Sequence, residues 1–223
     1  MKKLKFNLIL LESALELVPN EIINHPAVLK NAKKRNKKPN ETILDISLHY
    51  FAMRKLKEWK KRGRPDIIHQ VMLSFLLESE AIKGEFYIHT FDSRIIKVNP
   101  IMRPPKNYYR FISLMEQLLL KGRVPPKSST PLMEVLNISL SDIKKKYKLL
   151  LMWEKGKKIQ GNELCNYLNE EWIIGIGGFP HGDFSKEILD IADEKYSIAD
   201  ETLEAFQVVN RIVCYCGYAF STP

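Results

Sequence analysis

The stretch Trp172-Ile-Ile-Gly-Ile-Gly-Gly-Phe-Pro-His-Gly-Asp183 runs from an apolar segment into Gly175, Gly177 and Gly178, with Gly182 following. Glycines there permit positive φ and let a ligand approach the backbone closely. The position after a parallel strand is also where open α/β sheets bind ligands. The spacing is not a dinucleotide fingerprint, because from Gly175 the third glycine of Gly-x-Gly-x-x-Gly falls on Pro180. No Gly-Lys-Ser/Thr follows, so it is not a P-loop either. A tight structural turn would use the same glycines. A second loop, Ser197 to Leu203, runs into the last helix. Helix capping by Ser197 or Asp200 is the plain reading of it, although a ligand can use backbone groups left free beside a cap.

Two basic motifs point to a different ligand. In Asn99-Pro-Ile-Met-Arg-Pro-Pro-Lys-Asn-Tyr-Tyr-Arg110, the cations Arg103, Lys106 and Arg110 stand at i, i+3 and i+7. A helix beginning around Pro104 would align all three on one face near its N-terminus, where phosphate is favoured. RNA contact is the functional reading, and a solvated basic face the bland one. Arg64 and Asp66 flank Pro65 after Lys60, Lys61 and Arg62. A carboxylate at that spacing can hold a guanidinium in a fixed orientation, or form a local ion pair of little consequence. The five histidines have no metal-ligand spacing, and no nucleophile–base arrangement is visible. Neither a metal nor a catalytic residue is assigned.

The elements that must position these motifs follow from periodicity. Lys5 to Leu11 predicts a first strand, and Leu44 to Lys61 shows helical periodicity through Ile46, Tyr50, Met53 and Leu56. Residues 28–38 are too charged for a core and predict an exposed helix end or loop. Arg64-Pro65-Asp66 reads as the start of a helix that is buried from Ile67 to Leu77. Glu85–Thr90 and Arg94–Val98 predict two short strands, paired as a hairpin. An amphipathic helix follows Pro104-Pro105, with its apolar stripe running from Tyr108 to Leu119. After a loop around Pro125 to Pro131, strands at 148–153 and 172–176 alternate with helices at 163–168, 185–192 and 203–216. Such alternation implies a mainly parallel sheet covered by helices.

Composition limits the functional class. A chain of 223 residues with 45% hydrophobic residues suits one sizeable domain. Thirty-five Lys+Arg against 26 Asp+Glu give a net charge of +9, which attracts phosphate-rich partners. A lysine-rich, thermophile-like surface is the bland source of such charge. Three cysteines without a Cys-x-x-Cys pair signal neither a disulfide framework nor a zinc site, so reduced thiols are expected. No cleavable leader and no apolar run long enough to span a bilayer is visible, so a cytoplasmic protein without membrane contact is expected.

Arg64-Pro-Asp-Ile-Ile-His69, Asn99-Pro-Ile-Met-Arg103 with Arg110-Phe111, and the glycine segment ending in Gly182-Asp183-Phe184 occur in this order. Together they resemble the ribosomal small-subunit pseudouridine N1-methyltransferases, the nucleolar essential protein family of the SPOUT superfamily. The chain looks like a compact archaeal member, and the resemblance covers nearly its full length. It implies a single domain over 1–223, an α/β fold with a mainly parallel sheet flanked by helices, family-specific insertions, and a C-terminal trefoil knot holding the cofactor over about 148–220. It also implies homodimers acting in small-subunit biogenesis, with ribosomal assembly proteins as further partners. The activity it implies is transfer of a methyl group from S-adenosylmethionine to N1 of a pseudouridine in small-subunit rRNA, leaving S-adenosylhomocysteine. By matching position, Leu151 at a strand end, Gly177, Gly182, Ile198, Ala199, Asp200, Glu201, Thr202 and Leu203 would surround the cofactor. Arg64, Arg103, Lys106 and Arg110, on basic elements around 54–66 and 99–110, would contact RNA, with Asp66 steadying Arg64. Lys106 stands where arginine also occurs, which keeps the charge but not the bidentate fork. Phe179, Pro180 and His181 receive no specific role, because that segment varies in the family. The alternative is a non-catalytic RNA-binding assembly factor. A nicotinamide oxidoreductase is disfavoured by the broken dinucleotide motif.

Overall fold

The first strand, β1 (Phe6–Ser13), is the buried centre of the sheet, and its near-continuous apolar run follows from being covered on both faces. The computed structural model describes residues 4–218. The expected knot segment reaches to 220, so its last two positions lie outside the described residues. After β1 come α1 (Pro26–Lys34), α2 (Ile46–Met53), α3 (Pro65–Leu76), β2 (Lys83–Thr90) and β3 (Ile95–Val98). The middle of the chain holds α4 (Tyr108–Lys121), β4 (Arg123–Val124), β5 (Met133–Leu136) and α5 (Leu140–Lys146). The remainder is β6 (Lys148–Lys158), α6 (Gly161–Leu164), β7 (Trp172–Gly177), α7 (Lys186–Ile191), β8 (Glu194–Ser197) and α8 (Ala205–Tyr218).

The strand order is β4-β5-β3-β2-β1-β7-β6-β8. The neighbours from β2 to β8 pair in parallel, as expected. β3, β5 and β4 add an antiparallel edge, so the sheet is mixed. The predicted hairpin is present as β2 and β3. Alternate residues send their side chains to two cores. One lies under α3, α4 and α8 and contains Leu8, Leu10, Leu150 and Ile174; the other, under α5 and α7, contains Ile9, Leu11, Leu149 and Leu151. A small third core of Val18, Ile22, Val28, Leu44, Ala52, Met53 and Leu56 holds α1 and α2 together as an insertion between β1 and α3.

Several sequence expectations are corrected. Helical periodicity to Lys61 gives a helix only to Met53, after which the chain turns through Glu58, at φ 51°, into a short 3-10 turn. β6 runs on to Lys158 despite its charged end. Gly156 is the reason: a Cβ there would stand 2.8 Å from the Lys195 backbone, so only glycine lets β8 approach. β8 itself, four residues without apolar alternation, was not predicted. The cysteines are also not all thiols. Cys165 and Cys216 form a disulfide with Cα atoms 5.3 Å apart, while Cys214 is free and exposed. The partners are 51 residues apart and meet only because the turn after α6 packs on α8, which no local spacing reports.

Candidate functional site

β7 ends in a glycine turn and β8 in the loop to α8, and the two flank β6 at the C-terminal ends of the parallel strands. The chain crosses there from one side of β6 to the other, which is the switch-point geometry that opens a crevice in α/β sheets. The crevice is a cleft lined on its apolar side by Ile176, Ile198, Leu203, Ala205 and Val208. Gly177, Gly182, Ala199, Glu201 and Thr202 line it too, so seven of the nine residues expected around a cofactor converge. Leu151 and Asp200 do not line it. Leu151 lies within β6 rather than at its end, buried beneath Gly175, and its neighbour Met152 faces the cleft instead. Asp200 points outward and pairs with Lys158 at 2.9 Å.

The cleft is shaped by backbone approach. A Cβ on Gly177 would meet the Phe179 ring at 3.1 Å and the Phe184 ring at 3.3 Å. Gly182 takes φ 98°, a left-handed conformation that favours glycine. The backbone N–H groups from Ile198 to Leu203 have no hydrogen-bond partner among the described residues. Ser197 and Asp200 do not cap α8. The Ser197 hydroxyl donates to the Ala199 carbonyl at 2.8 Å, and the Glu204 N–H before α8 donates to Gln207 Oε1 at 2.9 Å. The Thr202 hydroxyl donates to Glu154 at 2.7 Å, tying the loop to β6.

The groups that line the cleft carry one sign of charge, although two of its carboxylates have cationic partners outside the lining: Lys155 for Asp183 at 2.7 Å and Arg211 for Glu201 at 3.6 Å. Glu154, Asp183, Glu201 and Glu204 line the cleft, and no Lys or Arg does. Partial burial raises the Asp183 carboxyl, but bonds from Lys155, Trp153 and the Phe184 N–H outweigh that and hold it below its ordinary value. Trp153, Glu154, Phe179, Pro180 and Asp183 were not singled out for the cleft. Asp183 closes the glycine motif and was the legible one; Trp153 and Glu154 sit in a strand whose pairing the sequence did not disclose.

Arg64 precedes α3 by one residue, and Ile67, three residues on, lines this cleft. Asp66 accepts bonds from Nε and Nη2 of Arg64, both at 2.8 Å. Donation of these hydrogen bonds to Asp66 raises the guanidinium pKa above its ordinary value, and the next charges the group feels are Glu204 and Asp45. Asp45 caps α2 and accepts the Tyr108 hydroxyl at 2.8 Å, which pins the start of α4 to the same region. Arg103, Lys106 and Arg110 are exposed, and none has an ion pair among the described residues. Their helical alignment is corrected, however. α4 begins only at Tyr108, capped by Asn107, whose Oδ1 accepts the Arg110 N–H at 3.1 Å. Pro104 and Pro105 hold the preceding residues extended, so Arg103 and Lys106 precede the helix. His69 bonds the Pro105 carbonyl at 2.6 Å and secures this segment.

The basic element at 54–66 divides in two. Lys61 is drawn inward to Glu12 at 2.7 Å, with its ammonium 4.4 Å from the Phe179 ring centroid, and its alkyl chain packs on Gly182. Arg62 is buried against Glu16, with bonds at 2.7 and 2.6 Å. These two cations hold the insertion to the glycine turn and to β1.

A cleft at a switch point of a mixed sheet, lined by carboxylates and an apolar wall, marks the chain as an α/β protein with a ligand crevice at the C-terminal ends of its parallel strands. The match to known families makes the class specific: residues 8–216 match the family described as EMG1/NEP1 methyltransferase, and the chain belongs to that family. Its relatives include the protein named ribosomal RNA small subunit methyltransferase Nep1 from Sulfurisphaera tokodaii, 61% identical over 99% of this chain and 100% of that one. The protein of the same name from Saccharolobus solfataricus is 57% identical, over 97% and 99% of the two chains. Among solved structures, Archaeoglobus fulgidus Nep1 bound to S-adenosylhomocysteine superposes with a TM-score of 0.88 at 37% identity, covering 97% of this chain and 99% of that one.

Proposed function

We propose that the chain methylates N1 of a pseudouridine in small-subunit rRNA, using S-adenosylmethionine held in the cleft between the glycine turn and the loop to α8. The observation that carries this reading is the charge pattern: four carboxylates and no cation line the cleft, while Arg64 stands near enough to feel Glu204. A nucleotide pyrophosphate would need the opposite charge. A sulfonium nucleoside fits the acidic lining, its base fits the apolar wall, and the free N–H groups from Ile198 to Leu203 suit its polar edges. Bound there, S-adenosylmethionine supplies an electrophilic methyl group.

The chain's own residues bind and orient. Gly177 and Gly182 keep the turn clear of side chains, Thr202 with Glu154 closes the loop, and Arg64, fixed by Asp66, holds the RNA backbone at the cleft mouth. Arg103, Lys106 and Arg110 extend that hold along the RNA. Alignment of nitrogen, methyl carbon and sulfur then supplies much of the acceleration. In the reaction the N1–C bond forms, the C–S bond breaks and the N1 proton leaves. Uridine cannot react in this way, because its N1 carries the glycosidic bond. Asp66 is engaged by Arg64, so no base is assigned.

With this reading go a trefoil knot in the C-terminal part of the domain, a homodimer, a role in small-subunit biogenesis alongside assembly proteins, and a cytoplasmic location. No helix among the described residues is long and apolar enough to cross a membrane. The test is transfer of label from methyl-labelled S-adenosylmethionine to matched rRNA hairpins carrying pseudouridine or uridine. Label on N1 of pseudouridine alone is the expected result. Tight RNA binding with neither transfer nor cofactor binding would replace the enzyme reading with that of an assembly factor.

A further inference from the structure

The insertion between β1 and α3 carries an exposed aromatic cluster that the cleft and its arginines do not use. α2 buries His49, Ala52 and Met53 on one side, yet its other side is also apolar, with Leu48, Tyr50 and Phe51 all exposed and Phe51 71% so. A surface helix normally turns a polar face outward, so an apolar outer face calls for a partner. The rings are arranged: Tyr50 packs edge-on against Phe51 and against Trp59, with centroids 5.4 and 5.7 Å apart. The Lys60 ammonium lies 6.0 Å from the Trp59 ring centroid.

The cations around this cluster differ from those facing the core. Lys61 and Arg62 are neutralised by Glu12 and Glu16, whereas Arg54, Lys55, Lys57 and Lys60 have no ion pair among the described residues. Glu58 is the one acid in the stretch 46–60. Protein–protein interface cores are depleted in lysine, because each must be desolvated. The exposed Tyr50 and Phe51 rings among unpaired cations match single-stranded RNA instead, where bases stack on the rings and phosphates meet the charges. The location agrees. α2 is capped by Asp45, which accepts the Tyr108 hydroxyl and lies in the same region as Arg64, and five to six residues of rise place Tyr50 and Phe51 about 8–9 Å further along the helix.

We infer that Tyr50 and Phe51, backed by the half-buried Trp59 and with Arg54 and Lys60 beside them, form a stacking platform for unpaired bases of the same RNA that offers its pseudouridine to the cleft. This rests on the RNA-substrate reading above and adds to it a preference for an unpaired flank. The probe is a target hairpin with unpaired extensions at both ends, compared with the same hairpin whose extensions are annealed to complementary strands. Anisotropy titrations should show wild type preferring the unpaired form. Phe51→Ala should weaken that form on the order of 10-fold, leave the annealed form unchanged, and keep the salt slope, because stacking releases no counterions. Phe51→Trp should restore the preference, and S-adenosylhomocysteine affinity should not move.

An equal effect of Phe51→Ala on both RNAs, or none, overturns the platform. So does a change in sedimenting mass without a change in RNA affinity, which would make this face a contact between protein chains. The two readings fail separately. Methyl transfer with no Phe51 effect removes only the platform, and a Phe51-dependent preference without transfer removes only the enzyme.

Discussion

Gly177 shows what a single residue decides at this site. Its missing side chain leaves room between the turn and the Phe179 and Phe184 rings, and a Cβ would already press on both. Alanine needs shifts of a few tenths of an ångström, which two rings can provide. Valine adds branched atoms with nowhere to go, and overpacking of this kind costs about 1–3 kcal/mol. Gly177→Val is therefore expected to weaken S-adenosylhomocysteine binding on the order of 10-fold or more in calorimetry. An unchanged affinity in a folded variant removes Gly177 from the site. Arg64 makes the complementary point. Its value lies in orientation, because donating two bonds to Asp66 fixes a fork that an unpaired arginine would leave mobile.

At the scale of elements, α8 has two duties. Ala205 and Val208 line the cleft, while Cys216, on the same helix, is bonded to Cys165 in the turn after α6. The bond closes a span of 51 residues containing β7, α7 and β8, and so ties down the segment that builds the cleft. Closing a loop of that length is worth about 4 kcal/mol in the chain-entropy treatment. For a chain of this size, its loss should lower Tm on the order of 10 °C. The measurement is a thermal melt with and without reductant, paired with a thiol titration of the denatured chain. The expected count rises from one thiol to three on reduction. Three thiols without reductant, or an unchanged Tm after reduction, would dismiss this staple.

Over the whole molecule the net charge of +9 is distributed unevenly. Exposed cations lie along the insertion and the approach to α4, while the cleft is lined by carboxylates, so the proposed RNA-binding surface and the proposed cofactor site differ in charge. Arg103→Ala or Arg110→Ala removes an unpaired exposed cation without touching the cleft. Each should weaken RNA binding and reduce the slope of log K against log salt by about 1, with S-adenosylhomocysteine affinity unchanged. Titrations at several salt concentrations that gave parallel lines for variant and wild type would show that these cations do not meet phosphate.

β1, β7, the first half of β6, the hairpin of β2 and β3, and the buried helix after Arg64 were legible because buried apolar runs leave a local record in the sequence, whereas the short strands β4, β5 and β8 leave none. The glycine turn and the unpaired arginines were legible for a similar reason, since positive φ and exposed charge are properties of single positions. Leu151 was misplaced because strand length depends on a partner, and β8 gives no periodic signal of its own. Arg103 and Lys106 were set on a helix that two prolines and the Asn107 cap delay to Tyr108. Which cysteines pair, which lysines are consumed by buried carboxylates and which apolar helix face stays uncovered are relations between segments far apart in the chain. By itself the sequence determined the α/β class, the basic character and the motifs that mark the family. Only the tertiary structure decided that carboxylates line the cleft, that Arg64 feels one of them, Glu204, and that the rings of α2 stand free, because each depends on packing between distant segments.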